Sequence, residues 1–286
     1  MNNHMTIVGL GEVLWDVFPD GIRPGGAPAN VAFHAQQLGN RGIITSRVGS
    51  DERGTALTEW LAGKGLNTSY IQTDTTHPTG TVAIHFIGEE PYYTITSDVA
   101  WDYLAFTTEW QTLAQNTDAV CFATLAQRTP DSAHTIRRFL SEMPTKSLRV
   151  MDINMRPPFF GKEVLEISFP LTDVVKLNVD EKAAICRLFD LEDPYAWLFR
   201  EFDIRWICQT HGKDGAELIS PQERWRVRGE TVDATQGDAV GVGDAFLAAL
   251  TTALLRKDTP ETALQFANRY AAKVVTFKGA MPVFDP

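Results

Sequence analysis

Short apolar runs alternate with amphipathic stretches along most of the chain. The short runs are rich in Val and Ile and predict strands over 6–11, 42–49, 119–123, 148–153, 174–177 and 205–209. Between them, apolar residues recur at helical spacing and predict helices over 28–38, 55–63, 132–142, 179–188, 243–255 and 261–277. Apolar strands separated by helices indicate an α/β fold with a mainly parallel sheet covered on both faces. One region breaks the rhythm. "GTVAIHFIGEEPYYTIT" (80–96) reads as two strands joined by a turn at 88–91, with no helix between them. Joined by a strand around 13–17, it predicts a β-flap beside the main sheet; an ordinary edge hairpin fits the pattern equally. No Ser/Gly linker, repeat or low-complexity tract interrupts the chain, so a single domain over 1–286 is expected, with a lid excursion at roughly 12–24 and 79–104.

Residues able to carry chemistry fall at the junctions between strands and helices. "GGAPANVAFHAQQLG" (25–39) opens a helix with Pro28 in its first turn, where Gly25 and Gly26 let backbone amides approach a small ligand. Asn30, in the same turn, can donate to and accept from sugar-like hydroxyls, or serve only as a helix-start asparagine. His34 shares a face with Val31 and Leu38 and reads as packed. "GEVLWDVFPDG" (11–21) fails as a dinucleotide fingerprint, since the third glycine of G-x-G-x-x-G is missing and Pro19 cuts short any helix. Asp16 reads as an exposed carboxylate at a strand end, free to bind hydroxyls or merely solvated. In "VMDINMRPP" (150–158), Asp152, Asn154 and Arg156 alternate, which places them on one side of a strand's carboxyl end. An Asp–Arg ion pair closing a loop is the plainer reading.

Asn178 and Glu181 in "KLNVDEKA" have the spacing of an N-cap and its capping-box partner, and also suit a pair holding magnesium directly or through water. Thr210, Gly212 and Gly215 in "QTHGKDGA" form a plain turn or a loop lying along a polyphosphate. In "GDAVGVGDAF" (237–246), Gly241, Val242 and Gly243 lead into an apolar helix. Their N–H groups are unpaired donors at a helix start and, with the helix dipole, make an anion site. Each donor aimed at a transferring phosphoryl group contributes roughly 3–4 kcal/mol. Asp244, beside them, can take the proton of an attacking hydroxyl, a role worth ~10²–10⁴ in rate. A P-loop is excluded, because the Gly-Lys pairs at 63, 161 and 212 lack the required upstream glycine and downstream Ser/Thr.

Composition narrows the partners. A formal charge of -10 on 286 residues argues against a general nucleic-acid or anionic-membrane binder. No run has membrane-spanning length and "MNNHMTIVGL" lacks the layout of a signal peptide, so a cytoplasmic protein is expected. Cys121, Cys186 and Cys208 are odd in number and widely spaced, which suits free thiols; the histidines form no ligand cluster.

The order of "GGAPANVAFHAQQLG", "RVGSDERG", "DINMRP", "KLNVDE", "THGKDGA" and "DAVGVGDAF" resembles that of ribokinase-like (PfkB-type) carbohydrate kinases, over nearly the whole chain. The resemblance implies a three-layer α/β/α sandwich with a mainly parallel sheet and a small β-lid, and ATP- and Mg2+-dependent phosphorylation of a sugar or nucleoside hydroxyl. On it, Asp244 is the base and Gly241, Val242 and Gly243 the anion hole. Asp16, Gly25, Gly26, Asn30, Asn154 and Arg156 lie at sugar-contacting positions. Asn178 and Glu181 match the magnesium and phosphate motif, Thr210, Gly212 and Gly215 the nucleotide loop, and Asn268 in "FANRYAA" the adenine side. Gly279 lies in "FKGAMP", similar to the closing loop near the nucleotide, and Asp238 offers a ligand for K+, which some members need. Within the family the chain looks most like fructokinases, then 2-keto-3-deoxygluconate kinases. It departs in having Ala239 for the usual threonine, Val242 for the middle alanine, and no arginine in the lid stretch "YYTITSDVAWDYL". Lid strands often pair between subunits in this family, and Tyr92, Tyr93 and Trp101 are candidates for such a homodimer contact. A silent sugar or nucleotide sensor and a nucleoside kinase are the competing expectations.

Overall fold

The computed structural model describes residues 4–19, 21–87 and 90–284, with the side chains of 84–93 left aside. The chain opens with β1 (Thr6–Leu10), β2 (Leu14–Phe18), β3 (Gly21–Gly25), α1 (Ala27–Gln37), β4 (Arg41–Gly49), α2 (Glu52–Gly63) and β5 (Ile71–Asp74). Then come β6 (Thr81–Ile87), β7 (Glu90–Ile95), α3 (Thr108–Gln115), β8 (Ala119–Ala123), α4 (Pro130–Glu142), β9 (Leu148–Asp152) and α5 (Lys162–Ser168). It closes with β10 (Val174–Asn178), α6 (Val179–Phe189), α7 (Tyr195–Phe202), β11 (Trp206–Thr210), β12 (Ala216–Ile219), β13 (Arg224–Val227), α8 (Val242–Leu255) and α9 (Pro260–Val274).

Among the described residues, nine strands form the main sheet in the order β13-β12-β11-β10-β9-β8-β1-β4-β5. The run from β11 to β5 is parallel, and β12 and β13 add an antiparallel edge. Strand side chains alternate between two helical layers. Val8, Leu10, Val120 and Phe122 pack with α3, α4 and α5 residues such as Trp110, Phe139 and Leu165, while Ile7, Ala119 and Cys121 pack with Val31 of α1 and Leu247 of α8. Both faces are therefore covered, which is why these strands read as unbroken apolar runs. Burial of each such large side chain stabilises the fold by about 1.5–3 kcal/mol.

A second sheet, β3-β2-β6-β7, stands apart from the first. It is the β-flap rather than an edge hairpin, with β2 antiparallel to β3 and parallel to β6. Residues 88–89 of the expected turn, and the side chains of Tyr92 and Tyr93, lie outside the described residues. Trp101 is not a lid surface residue. It is 1% exposed, packs in the main core, and carries the Arg128 guanidinium 3.9 Å above its ring. Arg128 in turn pairs with buried Asp102 at 2.7 Å, fixing the chain where it returns from the lid.

Every element expected from the pattern is present, with ends shifted by no more than three residues. β3, β5, β12, β13, α3, α5 and α7 were not expected. "GIRPG" of β3 is a poor strand by composition and holds only by pairing with β2 as an edge, where Pro24 is tolerated. α5 spans just seven residues, too short for a helical period to stand out.

Candidate active site

Strand order reverses at β1, which has β4 on one side and β8 on the other. In open α/β sheets the crevice outside the carboxyl ends of strands at such a point is where ligands bind. A cavity of about 340 Å³ opens there. Its walls come from Glu12 after β1, Leu125 after β8, Asp16 and Val82 of the second sheet, Gly26 and Asn30 at the start of α1, and Gly241 and Asp244 at the start of α8. Asn154 and Arg156, in the loop after β9, complete it.

Asp244 sits in the first turn of α8. Its Oδ2 accepts from Asn30 Nδ2 at 2.7 Å, tying the start of α1 to the start of α8. Asn30 Oδ1 is buried and has no partner among the described residues. Burial pushes the Asp244 carboxyl up to about 6; the Asn30 amide opposes this, Asp152 adds to it, and Lys176 and Arg156 oppose it. If this carboxylate takes a proton in the reaction, kcat should fall about tenfold for each pH unit below about 6. Initial rates between about pH 4.5 and 7.5 measure this; a flat profile would exclude the role.

The chain enters α8 through Gly241, the N-cap, at φ 74°, a conformation that favours glycine. A Cβ there would stand 2.6 Å from Ala280 Cβ and 2.7 Å from its Cα. Among the described residues the N–H groups of Gly241 and Gly243 meet no acceptor, and that of Val242 reaches the Ala239 carbonyl only at 3.5 Å. The tip thus presents bare donors at the positive end of a 14-residue helix. Asp238 holds this turn in place: its Oδ1 accepts from Val240 N–H and its Oδ2 from Gly279 N–H, both at 3.0 Å.

Asp16 differs from expectation. It lies in the middle of β2, opposite Arg23, rather than at an exposed strand end. A Cβ at Gly25 would crowd the Asp16 Oδ2, so a larger residue at 25 would push the carboxylate out of this position. Burial raises Asp16 to about 6, against the pull of Arg156 and Arg23. The alternation expected after β9 also fails, because Asn154 turns to φ 43° just beyond the strand end. Asn154 and Arg156 reach the cavity, but Asp152 turns inward and pairs with Lys176. Arg156 donates to the Met155 carbonyl, so no Asp152–Arg156 pair closes the loop.

The remaining expected residues do not line this cavity. Asn178 and Glu181 form the reciprocal capping box of α6, with bonds of 2.9 and 2.8 Å. Glu181 also accepts from Met155 N–H at 2.9 Å, and burial raises its carboxyl, with Asp152 adding to the shift. Thr210 is the register partner of Asn178 on the next strand, and Gly212 and Gly215 follow in the turn to β12. Asn268 is buried on α9, its Nδ2 3.5 Å from the Arg228 carbonyl. No group of three or more His, Cys, Asp or Glu suited to a metal occurs among the described residues. Both Glu181 oxygens already accept main-chain N–H bonds, so the pair fits a magnesium ion held through water and phosphates rather than an ion ligated by protein alone.

Two charged residues of the site escaped the sequence reading: Glu12, which lines the cavity, and Lys176. Lys176 is a cation in the otherwise apolar strand "VVKLN", a signal that was available. Its Nζ donates to both Asp152 oxygens, at 2.8 and 3.0 Å, and lies 3.4 Å from where a Gly243 Cβ would be, directly beneath the α8 tip. Burial alone would depress the ammonium, but Asp152, Glu181 and Asp244 outweigh it and hold it above its usual value. Lys176→Met strands a buried carboxylate and should cost about 3–5 kcal/mol of stability. Adding Asp152→Asn should recover part of that loss in urea unfolding; equal midpoints for wild type and K176M would contradict the pairing.

The profile described as pfkB family carbohydrate kinase matches residues 12–285. The chain belongs to the pfkB family of carbohydrate kinases. A fructokinase of Escherichia coli is 28% identical over 297 residues, covering 95% of this chain and 94% of that protein. The structure of an uncharacterized sugar kinase from Pyrococcus horikoshii in complex with ATP matches with a TM-score of 0.81 at 27% identity, over 97% of this chain and 94% of the other. A fructokinase with bound ATP from Xylella fastidiosa reaches 0.84 at 20% identity, over 96% and 94%, and speaks for the fold alone. The fold is thus ribokinase-like, a mainly parallel sheet between helical layers with a small sheet as lid. No helix among the described residues is long and apolar enough to cross a membrane.

Proposed function

We propose that the protein transfers the γ-phosphoryl group of ATP to a ketose, fructose at its 6-hydroxyl being the leading acceptor. The observation that carries this reading is the placement of Asp244: on a bare helix tip, bonded to Asn30, and lining a cavity shared with Asp16, Asn154 and Arg156. Asp244 takes the proton of the accepting hydroxyl, whose oxygen then forms the new bond to phosphorus. The bond from phosphorus to the β-phosphate oxygen breaks and ADP leaves. N–H groups of Gly241, Val242 and Gly243 stabilise the charge on the transferring group. Asp16, Gly26, Asn30, Asn154 and Arg156 orient the sugar.

The row formed by Asn178, Thr210, Gly212 and Gly215, at the ends of β10 and β11 and in the turn that follows, takes the nucleotide together with Asn268 and Gly279. Glu181 and Asn178 would hold the waters of a magnesium ion, which would supply neutralisation of the phosphate charge when bound. The carboxyl groups of Asp16 and Asp244 share one cavity with Arg156, which favours a neutral polyhydroxyl acceptor over a sugar acid. ADP formation should be measured with ATP and magnesium over ketoses, aldoses, keto-deoxy acids and nucleosides. Fructose should give the highest kcat/KM; preference for a keto-deoxy acid or a nucleoside would overturn the assignment of the acceptor. Saturable binding without ADP formation across the panel would instead identify a sensor.

A further inference from the structure

One side chain in the cavity has no part in that scheme. Glu12 follows β1 at the strand-order reversal, is only 2% exposed, and lines the cavity with Arg156 and Asp244. Main-chain N–H groups of Glu12 itself and of Ala27, the first residue of α1, interact with its carboxyl. Its Oε2 nevertheless has no hydrogen-bond partner among the described residues. A buried polar atom left unpaired is costly, and the cost disappears when a partner arrives with a ligand.

We propose that Glu12 is a specificity-determining residue of this site, whose free Oε2 hydrogen-bonds a sugar hydroxyl other than the one facing Asp244. The inference rests on the sugar-kinase reading above. A site built to bond a hydroxyl rejects an analogue that lacks it far more strongly than an apolar pocket rejects a change of size.

The charge state of Glu12 follows from its surroundings. Burial pushes it up to about 7, Asp244 adds to the rise, and its own amide, Arg156 and the Ala27 amide oppose it. The charged and titratable groups facing it across the cavity are Asp16 from β2, Asp244 from α8 and Arg156 from the loop after β9. Below about pH 7 the carboxyl is neutral and donates through Oε2 to a hydroxyl oxygen. As pH rises through that value the donor is lost, and sugar affinity falls with it. Asp244 limits the rate on the acid side, so the two groups bound activity from opposite sides.

The test compares kcat and KM of wild type, Glu12→Gln and Glu12→Ala on fructose and its singly deoxygenated analogues, from about pH 6 to 9. Glu12→Ala should raise the sugar KM about 30-fold while kcat and the KM for ATP stay within about threefold. Glu12→Gln keeps a donor and cannot ionise. It should match wild type below pH 7 within about threefold, and lack the rise in sugar KM that wild type shows above pH 7. One deoxy analogue should cost wild type about 30-fold in kcat/KM and cost Glu12→Ala less than about threefold. Unchanged sugar KM in Glu12→Ala, deoxy-analogue penalties equal to those of wild type, or an alkaline rise retained in Glu12→Gln would each overturn the proposal alone. A wild-type protein that phosphorylates no sugar would overturn the sugar-kinase reading and this inference together.

Discussion

Asp244→Asn should retain saturable ATP and sugar binding while kcat falls by ~10²–10⁴. The substitution keeps the shape of the side chain and an oxygen able to accept from Asn30 Nδ2, so the link between α1 and α8 survives. What it removes is the proposed proton acceptor. Stability should move the other way. A carboxyl raised to about 6 is protonated more readily in the folded chain than in the unfolded one. Its stabilising contribution is complete below the ordinary carboxylate range and is lost as pH rises through about 6, when a charge must be kept out of water. The asparagine variant escapes that loss. Its melting temperature at pH 8 should equal or exceed that of wild type. A variant that turns over like wild type, or melts well below it at pH 8, would contradict this description of the site.

Gly241→Ala should lower kcat by ~10²–10³, the loss typical when one oxyanion-hole donor is removed or misaligned. Two effects act together. The backbone at φ 74° disfavours a Cβ by about 1–2 kcal/mol. The new methyl would also meet backbone and side-chain atoms of Ala280 at 2.6–2.7 Å, inside any tolerable contact. Either the α8 tip or the 279–281 segment must shift, and Asp238 couples the two through its bonds to Val240 and Gly279. Circular dichroism should still report a folded protein, since the clash is local. A folded Gly241→Ala protein with wild-type kcat would show that the tip amides are not aimed at the transferring group.

The main layers of the fold were legible because their determinants are local. Fully covered parallel strands must be apolar on both faces, and "AVCFA" and "VVKLN" stand out between amphipathic stretches. β3 and β5 were not legible, since an edge strand such as "IQTD" owes its conformation to its neighbour rather than to its side chains. The candidate site divides in the same way. Glycine-rich helix starts carry their geometry in the sequence, so Asn30 and Gly241–Asp244 were found where they stand. Asp16 and Asp152 were misplaced because strand register and side-chain facing depend on long-range pairing, with Arg23 for one and Lys176 for the other. Trp101 was misassigned for a related reason: an aromatic next to a lid can belong to the core beneath it. Glu12 carries no local mark, because its significance arises only when β1, α1 and α8 converge around it.

The central claim is that the α8 tip binds the group being transferred while Asp244 holds the accepting hydroxyl. A crystal structure with a non-hydrolysable ATP analogue, magnesium and fructose tests it most directly. The account predicts the terminal phosphate oxygens within hydrogen-bond distance of the N–H groups of Gly241 to Gly243, and one sugar hydroxyl on an Asp244 oxygen in line with the terminal phosphorus. A terminal phosphate bound away from that tip, or a sugar with no hydroxyl on Asp244, would contradict it.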